Sequence, residues 1–122
     1  MQMSGKYVDG FVVPVPRQNL DAYTQLSEKM CRLWKEHGAL EYIECVADDV
    51  KPGKVTSFPQ AVKLETDEVV VLSWIVYESR EHRDRVNAAV MADARIKGMD
   101  PKTMPFDAMR MFVGGFKVLL AM

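Results

Sequence analysis

Residues 68–77 read EVVVLSWIVY, a run of β-branched and aromatic residues that predicts a β-strand. Successive side chains of a strand point to opposite faces of its sheet. One face of this strand then carries Val70, Leu72, Trp74 and Val76, and the other carries Val69, Val71, Ile75 and Tyr77. A sheet covered on one side only alternates apolar and polar residues, so this stretch predicts a sheet that is buried on both sides.

Three further strands are predicted around this one. They are Lys6–Val15, Leu40–Asp48 and Met111–Leu120, and we expect Pro14 and Pro16 to end the first of them. The polar stretch from Asp49 to Asp67 separates the second strand from EVVVLSWIVY and is predicted to be a long hairpin loop with one helical turn at residues 58–61.

Two long helices are predicted between these strands. The first runs from Leu20 to about His37, with Asn19 as its N-cap and Gly38 as its stop signal. The second follows Ser79 and continues to about Lys97. The resulting order β-α-β-β-α-β predicts the α+β class and a ferredoxin-like fold, in which two helices cover one face of a four-stranded antiparallel sheet. No linker or internal repeat divides the chain, so residues 1–122 are predicted to form a single domain.

The second apolar face of this sheet needs a cover of its own. An exposed apolar patch of that size would promote aggregation. The simplest cover is the same face of a second copy, related by a two-fold axis. We therefore predict a homodimer in which two sheets face each other and enclose an elongated core or a barrel-like cavity.

Composition excludes several other classes of function. The chain has 122 residues, and 16 Lys and Arg against 17 Asp and Glu give a net charge of −1. Nucleic-acid binding needs clustered basic residues, so no nucleic acid is expected as a partner. No signal peptide and no apolar run of roughly 18 residues is present, which predicts no membrane association. Cys31 and Cys45 are too few for a disulfide scaffold or a zinc site. These features predict a cytoplasmic protein without a metal or a cofactor.

Two carboxylates interrupt the apolar strands and are candidate catalytic residues. Asp9 shares its strand face with Tyr7, and Glu44 shares its face with Tyr42. A buried carboxylate without a partner becomes a plausible acid or base, and two of unequal pKa suit proton transfer on a small organic molecule. The alternative is that Asp9 is solvated or paired with a Lys or Arg, and that Glu44 lies at an edge that faces water.

The two histidines have less specific signals. His37 is a third catalytic candidate, as a general base oriented by Glu36 or Glu41, although a cation in the last turn of a helix also serves as a simple C-terminal cap. His82 belongs to the charged run Glu81–Arg85, which is predicted to be a solvated helix face.

Aromatic residues on the strands are candidates for ligand binding. They are Tyr7, Tyr42, Trp74 and Phe112, which together would line a pocket for a flat apolar molecule. The alternative is that they fill the core. Gly114 and Gly115 in the last strand predict a bulge or the close approach of another backbone, such as that of the partner subunit.

Five segments resemble a known family. They are YVDGFVVPVP from Tyr7, WKEHGALEY from Trp34, KVTSFP from Lys54, SWIVYESR from Ser73 and MFVGGF from Met111. Together they resemble the YbaA-like family of domains of unknown function, and the resemblance spans nearly the whole chain. It implies membership of the dimeric α/β-barrel superfamily, which includes cofactor-free monooxygenases, haem-degrading enzymes and small-molecule isomerases. The fold alone does not select among these activities.

Two hypotheses about function follow. In the first, the protein is a homodimer that binds or converts a small apolar or aromatic molecule, in the manner of a cofactor-free monooxygenase or isomerase. The molecule would lie in a cavity at the sheet face, surrounded in each subunit by Asp9, Glu44, Trp74 and His37. In the second, it is a non-catalytic homodimeric interaction or structural module whose interior is filled with side chains. A cavity of about 300 Å³ or more that touches Asp9 or Glu44 would favour the first hypothesis.

Overall fold

Four strands and four α-helices form an α+β structure in the computed structural model, which describes residues 6–122. The strands are β1 (Tyr7–Pro16), β2 (Glu41–Val46), β3 (Glu68–Tyr77) and β4 (Phe112–Lys117). The helices are α1 (Leu20–Glu36), α2 (Phe58–Ala61), α3 (Arg80–Ala92) and α4 (Ala94–Lys97). The predicted strand at residues 68–77 and the predicted helical turn at residues 58–61 are both confirmed.

The sheet is antiparallel throughout and has the order β2-β3-β1-β4. The central pair is β1 and β3, which run side by side over their whole lengths, from Tyr7 opposite Tyr77 to Pro16 opposite Glu68. Strand β4 pairs with β1 only as far as Val12, which lies opposite Phe112. The long helices α1 and α3 connect β1 to β2 and β3 to β4, as the predicted element order requires.

The prediction that the first strand ends at Pro16 is confirmed, but Pro14 does not end it. Strand β1 continues through Pro14 and has Pro16 as its last residue. Because β4 stops pairing at Val12, the side of β1 beyond that residue has no neighbouring strand. A proline there loses no ladder hydrogen bond, since its missing N–H would point to the unpaired side.

One face of the sheet, which we call the helix face, packs against α1 and α3. Tyr7, Ile75 and Tyr77 from the strands are buried there together with Leu33 of α1 and Val86 and Val90 of α3. A second cluster, Val13, Val15, Val69 and Val71 with Tyr23 of α1, continues the core toward the other end of the sheet. The apolar residues at odd positions of β1 and β3 therefore form the core.

The opposite face of the sheet, which we call the open face, carries the other half of the apolar residues. At one end, Val62 from the segment after α2 packs on Val12 and Val70 and buries them. Farther along this face Leu72, Phe112 and Phe116 are exposed in the single chain, and Phe116 is 63% exposed, whereas Val76 is buried. Both faces of the sheet are apolar, but the long β2–β3 loop covers only part of the second one, so burial of both faces stays a prediction.

The ends of the long helices differ from prediction in two places. Asn19 does precede α1, but its side chain does not cap the helix and instead donates to the carbonyl oxygen of Pro105 at 3.2 Å. The second helix does not reach Lys97 without interruption. Asp93 adopts an extended conformation and its carboxylate accepts from the N–H of Arg95, which ends α3 and starts α4. A side chain that bonds to nearby backbone competes with helix continuation in this way.

Candidate functional site

A cavity of about 430 Å³ lies between the helix face, α1 and α3. We call it the central cavity. Its lining is mostly aromatic and methionine side chains, with four polar residues among them. The apolar lining includes Phe11, Met30, Trp34, Tyr42 and Ile75, and the polar residues are Asp9, Ser27, Glu44 and Asn87. This size and this lining are typical of pockets for small organic ligands.

The roof of the cavity is the irregular segment 99–111, which contributes Met104, Phe106 and Met111. Phe106 packs edge-on against Tyr23 of α1, with ring centroids 5.7 Å apart. Arg110 holds the end of the segment by two hydrogen bonds to Glu68, of 2.7 and 2.6 Å. We call residues 99–111 the roof segment.

The cavity reaches the surface between α3 and the edge strand β4. Two of its lining residues, Met91 of α3 and Val113 of β4, are 54% and 61% exposed. A ligand therefore has a route into the cavity from this side of the molecule.

Asp9 marks one end of the cavity and is only 6% exposed. Its carboxylate accepts hydrogen bonds from Nε of Arg83 at 2.9 and 3.2 Å and from the side-chain amide of Asn87 at 3.4 Å. The Arg83 guanidinium also stacks over the ring of Tyr7, 5.0 Å from its centroid. Of the two interpretations of Asp9, the ion pair with a basic residue is the one that the structure supports.

Asn87 links this ion pair to two aromatic side chains. Its amide oxygen accepts from the indole N–H of Trp34 at 3.1 Å and from the hydroxyl of Tyr77 at 3.2 Å. Burial, together with the negative charge of Asp9, raises the pKa of Tyr77 above its ordinary value, so this hydroxyl stays a neutral donor. The end of the cavity near Asp9 is therefore a closed network in which the polar groups have partners.

Glu44 marks the other end of the cavity. Its Oε1 atom accepts from the hydroxyl of Tyr23 and, at 2.9 Å, from that of Ser73. Its Oε2 atom accepts from the hydroxyl of Tyr42 at 3.3 Å. Burial first, and then the carboxylate of Glu44, raise the pKa of Tyr23 and of Tyr42 above the ordinary value. The partners of Glu44 are thus three neutral hydroxyl groups.

The two carboxylates do not form the direct pair considered from the sequence. Strand β3 lies between β1, which carries Asp9, and β2, which carries Glu44. Two strand spacings place their backbones roughly 10 Å apart across the sheet. Each carboxylate has its own partners, so they mark two chemically distinct ends of one cavity.

His37 lies outside this cavity. Its Nε2 atom is 3.0 Å from a carboxylate oxygen of Asp93, at the junction of α3 and α4. The acidic residue that orients its ring is therefore Asp93 rather than Glu36 or Glu41. Glu36 instead accepts from Arg95 at 2.7 Å. The backbone N–H of His37 bonds to the carbonyl of Leu33, which is the helix-ending arrangement expected of a C-cap.

The four aromatic ligand-binding candidates are divided between the two faces. Tyr42 lines the central cavity, and Tyr7 lies on the helix face beneath Arg83. Trp74 and Phe112 lie on the open face, opposite Gly10 and Val12 of β1. One pocket in a single chain therefore does not unite all four.

Gly115 admits the close approach of two side chains. A Cβ atom at this position would overlap the guanidinium of Arg83 and the hydroxyl of Tyr7. A close approach was predicted for the glycine pair, but the neighbours here are side chains of the same chain rather than a second backbone.

Arg83 and Asn87 are the site residues that the sequence reasoning missed. Arg83 belongs to the charged run 81–85, which was predicted to face solvent. That prediction is wrong for this residue, because its side chain extends from α3 to Asp9 on the helix face of β1. His82 is also partly buried, and its ring accepts from the backbone N–H of Glu78 at 2.9 Å. The spacing of Arg83 and Asn87, one helical turn apart, was the available signal that both lie on one side of α3.

A second cavity of about 360 Å³ lies between α1 and the edge strand β2, and we call it the outer cleft. It shares four residues with the central cavity, which are Tyr23, Ser27, Tyr42 and Glu44. The hydroxyl groups around Glu44 therefore form a wall between the two spaces. Cys31 and Cys45 also line the outer cleft as free thiols, and Cys45 is exposed.

Two features of other protein classes are absent from residues 6–122. No helix there combines the length and the apolar character that crossing a bilayer requires. The acidic residues, histidines and cysteines of the same range form no group of three or more that could bind a metal ion.

Comparison with known proteins places the chain in a family. Residues 6–108 match the family described as protein of unknown function (DUF1428). The chain belongs to the DUF1428 family. The resemblance that the sequence segments indicated is thereby confirmed. Both the central cavity and its two carboxylates lie largely within the matched range.

Relatives of this DUF1428 member extend the match over nearly the whole chain. The uncharacterized protein YbaA of Escherichia coli K12 is 51% identical over 115 residues, which cover 94% of this chain and 97% of that protein. The proteins of the same name from Escherichia coli O157:H7 and Shigella flexneri match equally well. Among solved structures, the de novo designed protein Foldit4 aligns with a TM-score of 0.45 at 13% identity, over 92% of this chain and 97% of that one. That similarity carries no argument about function.

Proposed function

We propose that this DUF1428 protein binds a small, mainly apolar organic molecule in the central cavity. The observation that carries the proposal is the cavity itself, about 430 Å³ in volume and lined by aromatic and methionine side chains around a few polar groups. Methionine side chains adapt to irregular ligand shapes, and Met30, Met91, Met104 and Met111 all line it. The hypothesis of a filled, non-catalytic module is less well supported, since it requires an interior without such a space.

Within this function, Glu44 is the residue that we propose for any acid or base chemistry. It faces the cavity and its partners are neutral hydroxyls, whereas the charge of Asp9 is compensated by Arg83. We therefore propose a binding-site and structural role for Asp9, and none in the cavity for His37. Conversion of the ligand in the manner of a cofactor-free monooxygenase or an isomerase remains a hypothesis that this arrangement accommodates.

We further propose that the protein acts as a homodimer, with a ferredoxin-like sheet from each subunit forming one dimeric α/β barrel. The support is the open face, on which Leu72, Phe112 and Phe116 are exposed in the single chain. Trp74 and Phe112 then belong to the interface rather than to the ligand cavity. A location in a reducing cytoplasm stays a prediction from the sequence.

Binding of indole, a neutral aromatic probe, tests the proposed cavity. Isothermal titration calorimetry with the full-length protein is expected to show saturable binding of one indole per chain. Ser27→Phe places a ring in the cavity from α1 and is expected to weaken indole binding at least about tenfold, because the added ring occupies the ligand's space.

Gln25→Phe is the matched control, since it adds the same ring to an exposed position of the same helix. It is expected to leave indole affinity unchanged. Thermal unfolding followed by circular dichroism verifies that both variants fold. Absence of indole binding to the wild-type protein, or equal affinity in a folded Ser27→Phe variant, would contradict the proposal. Native mass spectrometry of protein purified from its own host reports the subunit count and any retained compound in one measurement.

A further inference from the structure

The charged groups on the wall of the central cavity have an uneven distribution. Asp9 is paired with Arg83, so this end of the cavity carries little net charge. Glu44 receives its hydrogen bonds from the hydroxyls of Tyr23, Tyr42 and Ser73. Among the described residues that line the cavity, none is a lysine, an arginine or a histidine. The carboxylate of Glu44 is therefore the uncompensated charge of the cavity wall, and it is negative.

The hydrogen-bonding capacity that remains at this end consists mainly of acceptors, beside the single hydroxyl of Ser27. A carboxylate offers about four lone-pair sites, and three hydroxyl groups occupy three of those of Glu44. The Tyr23 and Tyr42 hydroxyls donate their protons to Glu44, so their oxygen atoms are left to accept. A ligand group that only donates hydrogen bonds matches this arrangement. A ligand carboxylate meets a like charge, and among the described residues lining this end only the hydroxyl of Ser27 is left to donate to it.

Aromatic rings surround the same end of the cavity. Tyr42 packs against Phe11 and against Trp34, with ring centroids 6.4 and 6.1 Å apart, and Tyr23 packs against Phe106 at 5.7 Å. The faces of aromatic rings attract cations, and this attraction is stronger where water is excluded. A carboxylate beside several rings is an arrangement suited to an organic ammonium group.

We infer that the central cavity binds a primary amine with an apolar body, whose ammonium group lies against Glu44 and the hydroxyls of Tyr23 and Tyr42. An ammonium group has three donors and no acceptor, which is the complement of this end of the cavity. The aryl or alkyl body occupies the remainder, between Met30 and the roof segment. This inference rests on the proposed function and specifies the class of its ligand.

Three indole compounds of similar size and different charge test the inference. They are tryptamine, a cation at neutral pH, tryptophol, a neutral alcohol, and indoleacetate, an anion. Titration calorimetry with the wild-type protein is expected to give tryptamine an affinity about tenfold above that of tryptophol, because hydrogen bonds to charged groups are stronger than neutral ones. Indoleacetate is expected to bind at least about tenfold more weakly than tryptophol.

Glu44→Gln is expected to remove the preference for tryptamine over tryptophol. Glu41→Gln is the matched control, since it removes the same charge from the same strand but on the open side of the sheet. It is expected to keep the wild-type order of affinities. Should Glu44→Gln fail to fold, the order of the three affinities in the wild-type protein decides the question alone.

The outcomes separate this inference from the proposed function. If indole and tryptophol bind but tryptamine binds no more tightly, the amine inference is overturned and the cavity remains a binding site. If none of the indole compounds binds, both are overturned. If Glu41→Gln abolishes the preference as fully as Glu44→Gln, the charge of the protein as a whole is responsible and the inference is overturned.

Discussion

Nε of Arg83 on α3 lies 2.9 Å from Oδ1 of Asp9 on β1, and this ion pair joins residues 74 positions apart in the sequence. Asp9 is almost fully buried, and the side chain of Arg83 is 21% exposed. A buried charge pair is expensive to break, because removal of one member leaves the other without compensation. The pair therefore fixes α3 on the sheet at the end of the central cavity.

Arg83→Gln is expected to lower the free energy of unfolding by about 3 kcal/mol, since it leaves the carboxylate of Asp9 buried and unpaired. Urea unfolding followed by circular dichroism measures the change. Arg85→Gln, an exposed change on the same helix, is the control and is expected to cost less than about 0.5 kcal/mol. Equal stability of the two variants would mean that Asp9 does not depend on Arg83.

Gly115→Ala is expected to destabilise the protein by about 1 to 3 kcal/mol. The added methyl group overlaps Arg83 and Tyr7, and the overlap separates the guanidinium from Asp9 or from the ring beneath it. Gly98→Ala serves as the control, because a Cβ there meets the carbonyl oxygen of Ala94 at an ordinary 3.5 Å. Chemical unfolding of both variants provides the comparison, and an unchanged midpoint for Gly115→Ala would argue against the close packing described.

The stability of the protein is expected to fall as the pH drops below about 4.5, in part through Glu68. Hydrogen bonds from Arg110 hold the pKa of Glu68 below its ordinary value of 4.5, so the folded protein binds a proton at this carboxylate less readily than the unfolded chain does. The stabilisation is complete above the unfolded pKa and is lost as the pH falls through the folded pKa.

Glu68→Gln is expected to reduce stability at neutral pH by about 3 kcal/mol and to flatten the acid dependence. Glu65→Gln is the control, since Glu65 is mainly exposed and lies 3.4 Å from the same guanidinium. Unfolding free energies measured from neutral pH to acid test the pair. A Glu68→Gln profile parallel to that of the wild type would contradict the assignment.

Phe116→Lys is expected to dissociate the proposed homodimer. It places a charge on the open face and removes an aromatic side chain that the dimer would bury. Loss of such a contact is expected to raise the dissociation constant of the dimer about 100-fold. Sedimentation equilibrium at micromolar concentration measures the mass of wild type and variant. Val55→Lys is the control. It introduces the same charge at an apolar residue of the β2–β3 loop, outside the strands of the open face, and is expected to leave the dimer intact. A monomeric wild-type protein would refute the dimer.

The features that local sequence patterns determine were predictable. The bounds of β3 are those predicted, because most of its ten residues are β-branched or aromatic and this composition indicates a strand without help from distant contacts. Period-two alternation also divided the residues of β1 and β3 correctly into two faces. Which of the two faces the helices cover depends on how the chain folds back, and alternation contains no information about it.

The site depends on contacts between distant residues, which explains what was missed. Asp9 and Glu44 were identified because carboxylates stand out in apolar strands, and Tyr42 was identified as an aromatic residue on a strand. Arg83 looked like one of several surface charges, since nothing near it in the sequence shows that Asp9 lies opposite. The break of α3 at Asp93 also depends on tertiary contacts, because the carboxylate there bonds to His37 as well as to Arg95.

The roof segment has a consequence for how members of this family can diverge. Its cavity-lining residues, Met104, Phe106 and Met111, belong to chain without regular strand pairing, which is held by the backbone carbonyl of Pro105 and by the side chain of Arg110. Substitutions at these three residues can change the shape of the central cavity while every ladder of the sheet stays intact. Under the proposed function, one scaffold can thus acquire different ligand preferences through changes in a single irregular stretch of chain.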